Sequence, residues 1–240
     1  MAQLNIFLDT PILRESFIKM INNINWRSEF NIPSNSILIT AHKCVAEMYG
    51  ILKTNILDKE LSSYGLTSSK KLRDLIFGND DFLNIFWHQQ ANEVQHTRLS
   101  GLNEINEYNR NLQSLIKWRT GYEKVRQDFD KFLKKEDIEI INYGSLFNKH
   151  EWQSKFDDLA IETLIPSEDL EIVLSAWYAE ADLFLTKDNG VIKFSFSLPL
   201  EPGVPIFCNP ENIEQKLLEK QQGIISYPFK NSNFNNPKTG

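Results

Sequence analysis

The chain has 240 residues, of which 41% are hydrophobic and 12% aromatic, and its formal net charge is −6. This composition is typical of a globular protein with one large domain or two small ones, and it excludes a disordered chain. The negative charge excludes a molecule that is basic overall, although a local basic face remains compatible with it.

The cysteines and histidines form no disulfide or ligand pattern. Cys44 and Cys208 are far apart and neither has a nearby cysteine, which fits a reducing compartment and argues against a zinc ribbon. The four histidines lack the spacing of a metal motif. No targeting signal is visible in MAQLNIFLDT, and no apolar run approaches the roughly 20 residues that span a membrane. We therefore expect a soluble, cytoplasmic protein that does not bind membranes.

Five short apolar segments have the pattern of β-strands. The strand candidates are Leu4–Leu8, Ser36–Thr40, Ile138–Tyr143, Asp182–Thr186 and one strand within Gly203–Pro210. Apolar residues recur at helical spacing after the second strand, in AHKCVAEMYGIL, and Ser167 is the expected N-cap of the helix before the fourth strand. This alternation of strands and helices predicts a parallel sheet with helices on both faces.

The stretch from about Leu57 to Lys135 contains no good strand. Its apolar residues fit a long, imperfect helical stripe: Leu102, Ile105, Leu112, Leu115, Ile116, Val125 and Phe132. We predict one domain over residues 1–223, with a helical insertion at about 57–135. Residues 224–240 are polar and rich in Asn, and we expect them to form a loose tail.

Carboxylates follow two of the predicted strands. Asp9 closes the first strand and Asp188 closes the fourth, and because parallel strands end at the same edge of a sheet, the two can meet there. An ordinary Asp-Asn-Gly turn is the alternative explanation of Asp188. Asp169 falls in the first turn of a helix, where the helix dipole alone favours an acid. Glu47 flanks the buried stripe of its own helix.

Four carboxylates close together raise one another's pKa unless a cation compensates. Sites made only of carboxylates suit Mg²⁺ or Mn²⁺, and such a site can clamp a phosphodiester and activate a water molecule. The acids therefore suggest a metal-dependent nuclease, although a chain with 32 Asp and Glu residues is expected to place a few at strand ends by chance.

The sequence around these acids resembles the PIN domain family of metal-dependent ribonucleases. The best match is DLEIVLSAWYAEADLFLTKD, in which an Asp opens an apolar helix and Ala-Asp, a strand and Thr-x-Asp follow without a gap. NIFLDTPILRE resembles the family's first strand, ILITAHKCVAEMYGIL its second strand and helix, and GVPIFCNPENIEQKL its last strand, turn and helix. The resemblance covers about residues 1–57 and 136–220, and the insertion between them is far longer than in compact members.

The resemblance implies a three-layer α/β/α fold with a central parallel sheet, in which the helix start at Asp169 lies at the acidic edge. It also implies that Asp9, Glu47, Asp169 and Asp188 are catalytic and hold one or two Mg²⁺ or Mn²⁺ ions. The implied activity is hydrolysis of RNA to products with a 5′-phosphate and a 3′-hydroxyl. An enzyme controlled by a partner, such as a toxin held by an antitoxin, is an intermediate possibility between this nuclease and a non-catalytic interaction module. Thr186 could orient a carboxylate or a metal-bound water, or simply pack at the strand end.

The insertion offers a weaker candidate for RNA binding. Between residues 110 and 126, one acid stands among five basic residues: Arg110, Lys117, Arg119, Lys124 and Arg126. Trp118 and Tyr122 lie among them and could stack on the bases of single-stranded RNA. An ordinary solvated helix face explains the same pattern. The insertion could equally bind a protein inhibitor or a second copy of the chain.

Two other functions are considered. A non-catalytic PIN-like module could use the insertion to bind a partner protein, although all four acids are present. A phosphatase of the haloacid dehalogenase type is faintly suggested by FLDTP and TKDNG. That chemistry needs a second Asp two residues after the nucleophile, where this chain has Pro11.

Overall fold

The computed structural model describes residues 3–54, 120–199 and 201–222. In these ranges five strands form one parallel sheet, which confirms the predicted parallel α/β architecture. The strands are β1 (Asn5–Leu8), β2 (Ile37–Ala41), β3 (Ile138–Ile141), β4 (Leu183–Leu185) and β5 (Ile206–Cys208).

Helices connect the strands. The helices in the described ranges are α1 (Thr10–Ile21), α2 (Trp26–Glu29), α3 (His42–Thr54), α4 (120–135), α5 (Tyr143–Phe147), α6 (His150–Glu162), α7 (Ser167–Tyr178), α8 (Asn189–Phe194) and α9 (Ile213–Gln221). Short 3₁₀ turns cover Ser195–Ser197 and Pro210–Asn212. None of these helices is both long and apolar enough to cross a membrane.

The strand order is β3-β2-β1-β4-β5, so the chain starts at the centre of the sheet. It moves outward through β2 to β3 and then returns to β4 on the other side of β1. Because crossovers between parallel strands are nearly always right-handed, the two directions of travel assign helices to opposite faces, which is consistent with three layers. The order reverses between β1 and β4, and open α/β sheets bind ligands at the carboxyl ends of strands at such a point.

The centre of the sheet is apolar on both faces, as a parallel sheet covered by helices requires. Phe7, Phe184 and Phe207 occupy the same register on β1, β4 and β5. The ring of Phe184 stacks on Phe7 at 5.1 Å and on Phe207 at 4.7 Å between centroids. These stacked rings fix the register of the three strands and therefore the positions of the residues that follow them.

Two element boundaries differ from the predictions for local reasons. The third strand ends at Ile141, because the Asn142 side chain accepts a hydrogen bond from the N–H of Gly144 at 3.0 Å and caps α5. The predicted N-cap Ser167 is wrong by one residue, since Pro166 is the N-cap of α7 and has non-helical backbone angles. Asp169 still lies in the first turn of α7, as predicted.

The chain divides into two compact units, residues 1–48 with 133–240 and residues 49–132. The sheet and all four predicted acidic site residues belong to the first unit. In the second unit, the Tyr49 hydroxyl donates to Asp130 at 2.6 Å and the Tyr49 ring packs edge-on against Phe129.

The predicted insertion and tail fall largely outside the described ranges. Val125 and Phe132 are buried residues of α4, as the helical stripe predicts. The other members of the stripe, Leu102, Ile105, Leu112, Leu115 and Ile116, lie outside the described residues, as do 57–119 and 224–240. The domain limits 1–223 and 57–135 therefore remain predictions.

Candidate functional site

Asp9 is the buried centre of the candidate site. It directly follows β1, and its own N–H donates to the Leu185 carbonyl of β4 at 3.0 Å. The side chain is 6% exposed and caps α1, because Oδ1 accepts a hydrogen bond from the Thr10 N–H at 2.7 Å. Asp9 is therefore held where β1 and β4 end side by side.

Thr186 fixes the second oxygen of Asp9. Its fully buried hydroxyl donates to Asp9 Oδ2 at 2.6 Å, and its Oγ1 accepts from the Asp188 N–H at 2.9 Å. This hydrogen bond to Asp9 supports the role in which Thr186 orients a carboxylate. The register of β1 and β4 produces this contact, since Leu8 pairs with Leu185 and the next residues of both strands face each other.

Glu47 reaches the site through a residue that the sequence reasoning missed. Its exposed side chain projects from the middle of α3, and Oε2 accepts a hydrogen bond from the Thr10 hydroxyl at 2.5 Å. Thr10 thus contacts the carboxylates of both Asp9 and Glu47. The available signal was a hydroxyl residue directly after the strand-ending Asp, but nothing in the sequence connects it to a glutamate on another helix.

Asp188 also performs the turn role that was its alternative explanation. Its Oδ1 caps α8 by accepting from the N–H groups of Gly190 at 2.7 Å and Val191 at 3.2 Å. A Cβ atom at Gly190 would lie 2.9 Å from this oxygen, so a larger residue there would displace the Asp188 carboxylate from its present position. Capping and cation binding are compatible, because a carboxylate has several acceptor positions.

The carboxylates influence one another electrostatically. Burial raises the pKa of Asp9 to about 6, hydrogen bonds from Thr186 and Thr10 oppose this, and the charges of Glu47 and Asp169 add to it. Asp169 in turn interacts with the charge of Asp188, so the four predicted acids influence one another as one group rather than as isolated residues.

Asp169 links the two sides of this group. Burial is the main cause of its raised pKa, followed by the charges of Asp188 and Glu168, while the Lys43 ammonium opposes the rise. Lys43 pairs with Glu171 at 3.7 Å and donates to the Glu168 carbonyl. Lys43 thus partly balances the negative charge around Asp169.

The buried Cys44 lies on the inner side of the same group. Its sulfur is 3.9 Å from Asp9 Oδ1, and burial, followed by the charge of Asp9, raises the pKa of the thiol to about 12. A protonated thiol in this position is a weak donor to Asp9 and a poor metal ligand.

The chemistry of the donors fits a hard divalent cation, because a positive charge between neighbouring carboxylates offsets their mutual repulsion. Their side chains do not yet converge: among residues 3–54, 120–199 and 201–222, no three acidic, His or Cys side chains are arranged to hold a metal ion. Coordination by all four acids would therefore need their side chains to move closer together.

The basic residues of the insertion are only partly described. Arg110, Lys117, Arg119 and Trp118 lie outside the described residues. On α4, Lys124 is exposed, and Arg126 pairs with Glu123 at 3.3 Å and Asp130 at 3.0 Å. Two acidic neighbours around one arginine are typical of a solvated helix face.

Comparison with protein-family models, curated proteins and solved structures finds no match for this chain.

Proposed function

We propose that this chain is a Mg²⁺- or Mn²⁺-dependent ribonuclease of the PIN-like type, with Asp9, Glu47, Asp169 and Asp188 as its metal ligands. The observation that carries the proposal is the electrostatic coupling of these four acids at the point where the strand order reverses. A group of this kind, centred on a buried Asp with a pKa of about 6, gains more from a divalent cation than separate surface acids do.

The chain's own residues prepare this site. Asp9 is held by the Thr10 N–H and the Thr186 hydroxyl, with the Cys44 thiol as a weak third donor, and Oδ2, which accepts one hydrogen bond, retains capacity to bind a cation. Glu47 is oriented by the Thr10 hydroxyl. A bound Mg²⁺ or Mn²⁺ would lower the pKa of a water molecule and stabilise negative charge on a phosphodiester.

RNA as the substrate rests on the resemblance of DLEIVLSAWYAEADLFLTKD to PIN-domain ribonucleases. Single-stranded RNA is proposed because aromatic and basic residues alternate in the insertion, and Lys124 and Arg126 are the described members of that set. A protein inhibitor or a second copy of the chain bound at the insertion would provide control of such an activity.

The test is cleavage of single-stranded RNA oligonucleotides of mixed sequence with Mn²⁺, and with EDTA in parallel. We expect Asp9→Asn and Asp188→Asn to reduce cleavage on the order of 100-fold or more. Asp157→Asn is the matched control, since Asp157 is an exposed carboxylate of α6, and it should cleave like the wild type. Cleavage that persists in EDTA or in both site variants would refute the proposal.

A second candidate, a non-catalytic interaction module, is favoured by an exposed apolar patch. Ile161 is 85% exposed, Leu164 59% and Phe196 45%. The Leu164 N–H donates to the Ser197 hydroxyl at 3.0 Å, which brings the two segments together. Exposed apolar patches commonly mark protein-binding surfaces. A folded wild type that neither cleaves RNA nor gains thermal stability from Mn²⁺ would favour this candidate, because a cation that binds only the native state must stabilise it.

A further inference from the structure

A continuous chain of hydrogen bonds joins three of the four acidic residues. Glu47 accepts from the Thr10 hydroxyl at 2.5 Å, and the Thr10 N–H donates to Asp9 Oδ1 at 2.7 Å. Asp9 Oδ2 accepts from Thr186 at 2.6 Å, and Thr186 accepts from the N–H of Asp188 at 2.9 Å. Thr10 is the member of this chain that contacts two carboxylate side chains directly.

Thr10 is a fixed donor, whereas Glu47 is a flexible acceptor. Thr10 is buried at the first position of α1, and its branched side chain has few rotamers. Glu47 is exposed and has several rotatable bonds before its carboxylate. Within the described part of the chain, Thr10 is the donor that restrains the Glu47 carboxylate. Removing the hydroxyl therefore frees Glu47, while the backbone N–H of residue 10 and the Thr186 hydroxyl still donate to Asp9.

We propose that Thr10 is a positioning residue that orients Glu47 beside Asp9 and thereby sets the affinity of the acidic site for a divalent cation. The inference rests on the proposed function, because it assumes that Asp9 and Glu47 bind the cation together. A ligand that is oriented before binding loses less conformational freedom when the cation arrives. Residues that orient metal ligands contribute about 10- to 100-fold in metal affinity in other proteins.

Two bonds of Thr10 can be separated experimentally. Its backbone N–H donates to Asp9 Oδ1, and its hydroxyl donates to Glu47. Thr10→Val therefore keeps the cap and the shape of the side chain but removes the donor to Glu47. Thr10→Ser restores the donor. Thr40→Val is the matched control, because Thr40 is also buried and its hydroxyl donates to the Leu8 carbonyl at 2.8 Å, not to an acid.

The measurement is the Mn²⁺ dissociation constant of each full-length variant, by isothermal titration calorimetry, with cleavage of single-stranded RNA against Mn²⁺ concentration as the second readout. We expect Thr10→Val to raise the dissociation constant about 10-fold or more, and Thr10→Ser and Thr40→Val to stay within about 2-fold of the wild type. The Mn²⁺ concentration for half-maximal cleavage should rise in parallel, with a smaller change in the rate at saturating Mn²⁺.

A double substitution tests the route through Glu47. In a Glu47→Gln background, Thr10→Val should weaken Mn²⁺ binding no further, because residues that act through one contact are non-additive. Additive losses, or a loss in Thr40→Val as large as in Thr10→Val, would overturn the positioning role. Thr10→Ala removes the same hydroxyl with less bulk and replaces Thr10→Val if valine prevents folding.

The outcomes separate this inference from the proposed function. A wild type that binds Mn²⁺ and cleaves RNA, with a Thr10→Val variant of unchanged affinity, refutes the positioning role and leaves the ribonuclease proposal intact. A folded wild type that neither binds Mn²⁺ nor cleaves RNA refutes both.

Discussion

Replacing Asp9 by Asn removes a buried charge from the end of β1 with almost no change in side-chain size. Asp9 is 6% exposed, and burial is the main cause of the rise in its pKa from 3.8 to about 6. At pH 7.5 the group is ionised in both the folded and the unfolded chain. Because each unit of pKa difference between the folded and the unfolded chain corresponds to about 1.4 kcal/mol, the charge on Asp9 destabilises the folded state by about 3 kcal/mol.

The hydrogen bonds of Asp9 reduce the expected gain. The Asn side-chain oxygen can still accept from the Thr10 N–H, but the Asn side-chain nitrogen cannot accept from the Thr186 hydroxyl. Losing this buried hydrogen bond costs about 1 kcal/mol. Without metal at pH 7.5, Asp9→Asn should therefore be about 2 kcal/mol more stable than the wild type.

The pH dependence has a definite sign. Because the folded pKa is raised, the stability provided by a neutral Asp9 is fully present below its ordinary pKa of 3.8 and is lost as the pH rises through about 6. The advantage of Asp9→Asn should shrink by about 1.5 kcal/mol between pH 7.5 and pH 5, since the wild type has by then regained about half of the lost stability.

The assay is urea unfolding followed by tryptophan fluorescence in EDTA at both pH values. Asp157→Asn, at an exposed carboxylate of α6, is the control and should lie within about 0.5 kcal/mol of the wild type. If Asp9→Asn is less stable than the wild type at pH 7.5, or if its advantage does not change with pH, the reasoning about burial is wrong. Mn²⁺ should stabilise the wild type more than Asp9→Asn.

Three further predictions concern the sheet and the thiols. Phe184→Ala should lower the free energy of unfolding by about 3–5 kcal/mol in urea titrations, because it leaves a cavity in the ring stack; Phe196→Ala, at an exposed ring, should change it by less than about 0.5 kcal/mol. Asp182→Ala should cost about 1–2 kcal/mol in the same assay, since its carboxylate accepts from the first N–H of β1 at 2.8 Å, and an unchanged midpoint would argue against that bond. Cys44 and Cys208 are buried with pKa values raised to about 12, mainly by burial, so Ellman's reagent at pH 8 should react with them only after denaturation; rapid reaction of the native protein would contradict their burial.

The sequence predicted the elements of the sheet because their signals are local. Apolar runs bounded by turn residues indicated all five strands, and the spacing of strands and helices indicated a parallel sheet. Asp9 and Asp188 could be placed at strand ends for the same reason. The boundary errors at Ser167 and at the end of β3 arose where capping, which depends on single backbone angles, decides the outcome.

The tertiary structure decided which of these residues meet. The Thr10–Glu47 hydrogen bond joins positions 37 residues apart, and the Thr186–Asp9 bond joins positions 177 apart. Both depend on β1 lying between β2 and β4, which no local pattern specifies. The raised pKa of Asp9 has the same origin, because burial is a property of the packed chain. The sequence by itself therefore determined the acids and the strands that deliver them, while packing decided their hydrogen-bond partners and the raised pKa of Asp9.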